Sequence, residues 1–272
     1  VGGREARAVA DELKAVGELG PCGRAPVALV FSYEAAWHLR IQPQGAGFAW
    51  VILAHQAYAA LRRLGLDVDI LPPDGDFTGY KLVLCPSLPI LDDEVVQRLS
   101  LSNAHVFFGP RSGSRTREGA TPTALPPGLL QTRLPMKVTR VESLRPGAGP
   151  NVVLGDDTFA ARLWRETLET RLESLATFAD GGPAWVGDGR WSYLATWPEQ
   201  PLMDAIVERL ARAAGLFVAQ LEEGVRMRSR DGVAFAFNYA AETRTTPAPP
   251  KASYLLGGAE LPPAGVAAWR LE

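Results

Sequence analysis

Between residues 27 and 109 the chain alternates short strand-like runs with helix-forming stretches, and this alternation limits the fold more than any other feature. VALVF (27–31), DVDIL (67–71), LVLCP (82–86) and AHVFFG (104–109) have the length and apolar character of strands bounded by turn residues. Between them lie a helical run from Gly47 to Leu64, closed by Gly65, and DDEVVQRLS, which Asp92 opens as N-cap. Strands separated by helices pair in parallel, because each helix carries the chain back to the same end of the sheet. The expected fold class is α/β, with an open, mostly parallel sheet flanked by helices.

Residues 110–135 read as a loop rich in Gly, Pro, Ser and Thr, long enough to be a contact region. KVTRVESL, LATFADG and AWVGDGRWSYLATW follow as β-type segments, the last folded at Asp188-Gly189, before a helix from about Glu199 to Ala214. After Gly215 the strands VRMRSR, VAFAFNYA, ASYLLGG and VAAWRLE, parted by turn residues, suggest a small antiparallel β-domain that needs a neighbour for stability. At the other end, REARAVADELKAV is an amphipathic helix and GPCGRAP a linker. The division expected is 1–26 helix and linker, 27–215 α/β domain and 216–272 β-domain.

Charge excludes several partners. Lys+Arg 28 against Asp+Glu 30 gives a net charge of −2, with no basic field for nucleic acid or an anionic membrane. The longest apolar window, AGFAWVILA, falls far short of the roughly 20 residues that span a bilayer. Only Cys22 and Cys85 are present, so neither a disulfide framework nor a Cys-based metal site is expected, no cofactor is implied, and a reducing, cytoplasmic setting fits.

FSYEAAWHLRIQPQG (31–45) gathers a carboxylate, an indole, an imidazole and two amides, the materials of a catalytic acid beside a sugar platform. Glycoside hydrolysis usually needs two carboxylates facing one sugar, about 5 to 5.5 Å apart for retention, and no motif couples a second one to Glu34. Cys85 ends a strand, where open α/β sheets place functional groups, yet LVLCPSLP lacks the tight small-residue turn that presents a nucleophile. GPRSGSRTREG (109–119) offers Arg111, Arg115 and Arg117 to an anion but lacks the GK[ST] ending of a phosphate loop. In the helix from Gly47 to Leu64, His55, Gln56, Arg62 and Arg63 confine the polar positions to one arc. The remaining apolar surface serves either deep burial within the domain or contact with a second body.

SYEAAWHLRIQPQG, LRRLGLDVDILPP, YKLVLCPSLPILDD, VFFGPRSGSRT, LPMKVTRVESLRPG and VAFAFNYA followed by LLGGAELPPAGVAAW occur in an order and at spacings that carry a family resemblance. From Val27 onward the chain resembles the C-terminal half of β-galactosidases of glycoside hydrolase family 42. The resemblance implies an α/β trimerisation domain, similar to class I glutamine amidotransferases and flavodoxin-like sheets, then a small β-domain. Both would follow a (β/α)8 barrel, whose last helix the first helix here resembles, so the N-terminus looks cut from something longer. The family's catalytic glutamates belong to that barrel, which needs about 250 residues of its own, so none is carried over.

What the resemblance implies is a homotrimer packed on a catalytic barrel, in a cytoplasmic parent that hydrolyses terminal β-D-galactosides with retention. Gly109-Pro110 stands where an amidotransferase would present its nucleophile elbow, and Ser32 replaces an expected acidic residue. The residues expected at an interface or bordering a cleft are Tyr33, Glu34, Trp37, His38, Gln42, Gln44, Trp50, Arg111 and Arg115. Two alternatives stay open: a separately encoded subunit serving a barrel in trans, and a stand-alone amidotransferase-like hydrolase using Cys85.

Overall fold

The computed structural model describes residues 2–271 and divides the chain into two compact units. The larger comprises Pro26–Ala60 and Val68–Phe217; the smaller takes the chain up to Ala25, Leu61–Asp67 and the chain from Val218. Helix α1 (Gly2–Val16) belongs to the smaller unit. The larger begins with β1 (Val27–Val30), α2 (Tyr33–Ile41), α3 (Trp50–Arg63), β2 (Val68–Leu71), β3 (Leu82–Cys85), α4 (Asp93–Leu101) and β4 (His105–Phe108), α3 running on into Leu61–Asp67. These strands lie within a residue or two of the runs that mark them in the sequence. A helix over Tyr33–Ile41 was not among the expected elements, although Ser32 supplies its N-cap by accepting a hydrogen bond from the Ala35 N–H at 3.0 Å.

Asp92 caps α4 as its position suggests, accepting from the Val95 N–H at 3.0 Å. Its other oxygen accepts from Arg117 at 2.6 Å. Asp92→Ala is expected to lower stability by about 1 kcal/mol, the usual worth of such a cap, as a shift in the urea midpoint at unchanged slope.

The chain continues through β5 (Met136–Ser143), β6 (Asn151–Leu154), β7 (Asp157–Thr170), β8 (Glu173–Phe178), β9 (Pro183–Gly187), β10 (Trp191–Leu194), β11 (Thr196–Pro198) and α5 (Gln200–Ala213). All eleven strands join one sheet in the order β11-β7-β6-β8-β9-β10-β4-β3-β1-β2, with β5 on β7. This corrects the mostly parallel expectation: pairing is parallel only from β2 to β10, and antiparallel beyond. The reason is connectivity, since strands joined by tight turns must run in opposite directions. The turn at Asp188-Gly189 does link β9 to β10, and a two-residue Gly155-Asp156 turn links β6 to β7.

The core of the larger unit combines the fully buried strands β1 and β3 with Phe107, Phe108, Trp185, Tyr193 and Trp197. The polar arc expected on α3 is split. His55 and Arg63 are exposed, whereas Gln56 is buried and accepts from the Trp197 indole N–H at 3.0 Å. In the smaller unit Arg62 is buried too, donating to the carbonyls of Leu66 and Met227 and facing Asp67 at 3.5 Å. A polar residue with partners is as burial-compatible as an apolar one, which periodicity does not register.

The smaller unit adds β12 (Val225–Arg230), β13 (Val233–Asn238), β14 (Arg244–Thr245), β15 (Tyr254–Leu256), β16 (Glu260–Leu261) and β17 (Val266–Arg270). They form an antiparallel sheet β12-β13-β17-β15 and a two-stranded β14-β16 ribbon. One sheet face buries Val225, Ala234, Ala236 and Trp269, and the other packs Val233 and Ala268 against Val16 of α1.

Candidate interface cleft

At the carboxyl end of β1, Phe31 and Ser32 lead straight into α2, which buries Ala35 and Leu39. Positions spaced four apart share a helix face, so Tyr33, Trp37 and Ile41 form a row along α2. They are 66%, 60% and 79% exposed, unusual for three large side chains together. The Tyr33 and Trp37 rings lie 6.0 Å apart, and Phe31 meets Tyr33 and Trp50 edge-on at 5.1 and 4.8 Å. With Pro43, Phe48 and Val51 these aromatic residues line a mostly apolar cleft of ≈ 590 Å³. Half-exposed Val51 and Ile52 extend the apolar surface along α3.

Trp50 supports this surface from below. It is buried, and its indole N–H donates to the Ser87 carbonyl at 2.6 Å. Glu34 points away from the aromatic row to the exposed Arg117, 3.8 Å distant, which also holds Asp92. That cation lies against both carboxylates, an arrangement suited to tying α2 to the 116–119 turn.

The remaining expected residues gather around Arg111. Its guanidinium donates to the Pro43 carbonyl at 2.6 Å, the Gln42 carbonyl at 3.1 Å and Gln44 Oε1 at 3.3 Å. Burial, followed by the neighbouring charge of Arg115, lowers the Arg111 pKa to about 10, which leaves it charged at neutral pH. His38 is half-buried and its pKa is lowered, first by burial and then by Arg115 and Arg111. Arg115 donates to the Ser114 carbonyl at 2.9 Å and to Thr121 at 3.3 Å.

Three residues of this cluster went unnoticed in the sequence: Glu166 and Trp164 on β7, and Tyr193 on β10. Glu166 is fully buried and accepts from the Arg111 backbone N–H (2.9 Å), the Trp164 indole (2.9 Å) and the Tyr193 hydroxyl (2.7 Å). Burial pushes its carboxyl pKa up, only partly offset by those donors. The available signal was Trp164, Glu166 and Leu168 at period two within LWRETLET.

Cys85 lacks the setting of a nucleophile. It is buried at the end of β3, and burial in apolar surroundings pushes its thiol pKa far up, the opposite of what thiolate chemistry requires. Among the described residues no cluster of His, Cys, Asp and Glu could hold a metal, and no helix is long and apolar enough to cross a membrane.

Residues 25–217 match the family described as beta-galactosidase trimerisation domain, and 224–271 match the beta-galactosidase C-terminal domain. A beta-galactosidase BgaA of Thermus sp is 47% identical over 97% of this chain, and one of Thermus thermophilus is 46% identical over the same share. The chain spans 41% of the length of each. The crystal structure of a beta-galactosidase from the psychrophilic Marinomonas ef1 superposes with a TM-score of 0.94 at 33% identity, covering 99% of this chain and 42% of that one. The corresponding enzyme of Halorubrum lacusprofundi gives 0.87 at 30% identity, over 96% and 42%. This chain therefore belongs to the glycoside hydrolase family 42 β-galactosidases, as the C-terminal part that carries the trimerisation and C-terminal domains.

Proposed function

We propose that this chain is the assembly part of a β-galactosidase, non-catalytic in itself, which forms a homotrimer and supports the active-site cleft of a (β/α)8 barrel. The observation that carries this reading is the exposed aromatic and aliphatic row of Tyr33, Trp37 and Ile41 beside Val51 and Ile52, within the segment matched as a trimerisation domain. A water-facing patch of this kind is costly unless another surface covers it. Threefold assembly joins two different patches head to tail, so one cleft per chain suits it. In this reading the functional division is 1–26, 27–215 and 216–272, the parent acts on terminal β-D-galactosides, and it works in the cytoplasm.

The parallel half of the sheet also fits the class I glutamine amidotransferase-like plan. β4 ends in a tight turn in which Arg111 adopts φ +66°, the kind of strained position that presents a nucleophile in α/β hydrolases. Here the side chain is a guanidinium and the nearby thiol of Cys85 is sealed, which supports a structural use of the turn.

Light scattering at increasing concentration is expected to show the wild-type chain approaching three times its monomer mass. Trp37→Asp is expected to weaken that association by about tenfold or more, since buried aromatic anchors dominate such interfaces. A chain that stays monomeric throughout sinks the assembly reading. Hydrolysis of a chromogenic β-galactoside by the isolated chain, abolished in Glu34→Gln, sinks the non-catalytic one.

A further inference from the structure

The wall of the cleft formed by residues 42–49 has little structure of its own. Its internal backbone hydrogen bonds are Phe48 N–H to Gly45 (3.5 Å) and Ala49 N–H to Gly47 (2.8 Å). Gln44 and Gly47 occupy left-handed backbone, at φ +55° and +81°, and no regular element includes this stretch. Such a segment has many conformations to lose, and something outside it must select one.

Arg111 meets that need from the opposite loop. Two of its nitrogens reach the consecutive carbonyls of Gln42 and Pro43, and one of them also reaches the Gln44 side chain. Its guanidinium lies 4.6 Å from the centre of the Phe48 ring and 4.9 Å from that of Trp164. Phe48 is itself part of the wall, so both ends of the segment are gripped by one planar cation. The side chain is 2% exposed and, among the described residues, has no carboxylate within ion-pairing distance. Carbonyl dipoles, aromatic faces and the nearby Glu166 carboxyl compensate its charge, and the wall supplies the two carbonyls and the Phe48 face.

The backbone of Arg111 is held as firmly as its head. Its N–H donates to Glu166 Oε1, and Glu166 is fixed in turn by Trp164 and Tyr193 on two strands of the sheet. The chain of contacts therefore runs from the buried sheet, through Arg111, to the cleft rim.

We infer that Arg111 is the positioning residue of the cleft: anchored to the sheet by Glu166, it holds residues 42–49 in the one conformation that shapes the apolar groove beside α2. The role rests on the reading of that groove as an interface. A lysine cannot replace it, because a single ammonium has neither the fork that spans two carbonyls nor the broad delocalised cation that lies within about 5 Å of both the Phe48 and Trp164 ring centres.

The test compares native trypsin cleavage of wild type, Arg111→Lys and Arg111→Met, below the concentration at which the chains associate. Cleavage after Arg40, exposed at the end of α2 just before the wall, is set against cleavage after Arg171, exposed in the turn between β7 and β8. Releasing the wall frees the end of α2, so the Arg40 rate is expected to rise about tenfold in Arg111→Met and several-fold in Arg111→Lys, with Arg171 unchanged. Because the methionine variant can fail to fold, the lysine variant, which keeps the charge and the length, decides on its own. Equal acceleration at both sites, or none at Arg40, overturns the inference. A monomeric wild type would refute the assembly reading and leave this comparison of rates fully decisive for Arg111.

Discussion

Glu166→Ala is expected to destabilise the larger unit by about 3 kcal/mol or more, because it strands three buried donors at once: the Arg111 backbone N–H, the Trp164 indole and the Tyr193 hydroxyl. Glu166→Gln is expected to stay within about 1.5 kcal/mol of wild type, since its oxygen can accept from Arg111 and Trp164 while its NH2 donates to a reoriented Tyr193 hydroxyl. Urea titrations followed by tryptophan fluorescence check both. Similar losses in the two variants would show that the ionised carboxylate, and not its hydrogen-bonding shape, is what the site requires.

The comparison has a pH dependence with a definite sign. Burial raises the Glu166 pKa in the folded state, so the fold favours the neutral acid. Stability linked to this group is complete below the unfolded value of about 4.3 and is lost as pH rises through the raised folded value. Glutamine does not titrate, so the stability of Glu166→Gln relative to wild type is expected to increase across that window and then level off. Asp92 and Asp180 have lowered pKa values and shift stability in the opposite direction in both proteins, which is why the difference between the curves is the quantity to measure.

Gly109→Ala is expected to be severely damaging although it adds a single methyl group. A Cβ at this position would lie 1.6 Å from the Pro86 carbonyl oxygen and 2.5 Å from its carbon, both backbone atoms. They cannot step aside, because Gly109 N–H already bonds the Cys85 carbonyl at 2.9 Å and Cys85 pairs with Phe108 across β3 and β4. Relief requires prying apart two central strands, and a loss of about 4 kcal/mol or outright failure to fold is expected. Gly147→Ala is the control: it sits at φ +77° with no atom near its added Cβ, so only backbone strain of about 1 kcal/mol applies. Soluble yield and thermal midpoints of the two variants test the contrast, and a Gly109→Ala protein as stable as Gly147→Ala would refute the steric account.

The parallel half of the sheet was legible because β1, β3 and β4 are buried on both faces and so read as unbroken apolar runs. β7 was not, although it is the longest strand. It carries Arg162, Arg165, Glu166 and Glu169, and Leu163 at φ +61° breaks the alternation, so buried Ala161 and Trp164 are three apart while Trp164, Glu166 and Leu168 are two apart. With β7 unread, the β-type segments that became β5, β8, β9 and β10 had no central partner to join them into the antiparallel half of the sheet, and the Glu166 anchor was unread too. The site followed the same divide. Tyr33, Trp37, Arg111 and the two glutamines were found in the sequence as residue types, but only the fold separates aromatic residues on the rim from the buried cation beneath it. Glu34, the most chemistry-like residue of FSYEAAWHLRIQPQG, turns out to face a surface arginine.

The unequal exposure of the two cysteines makes the chain a ready substrate for site-selective labelling. Cys85 is buried at the end of β3, where burial pushes its thiol pKa up, while Cys22 stands exposed in the segment that follows α1. A maleimide dye or spin probe should therefore couple once per folded chain without any mutagenesis, and a second equivalent should react only when the sheet opens, so that the count of modified sulfurs becomes a clock for unfolding of the larger unit.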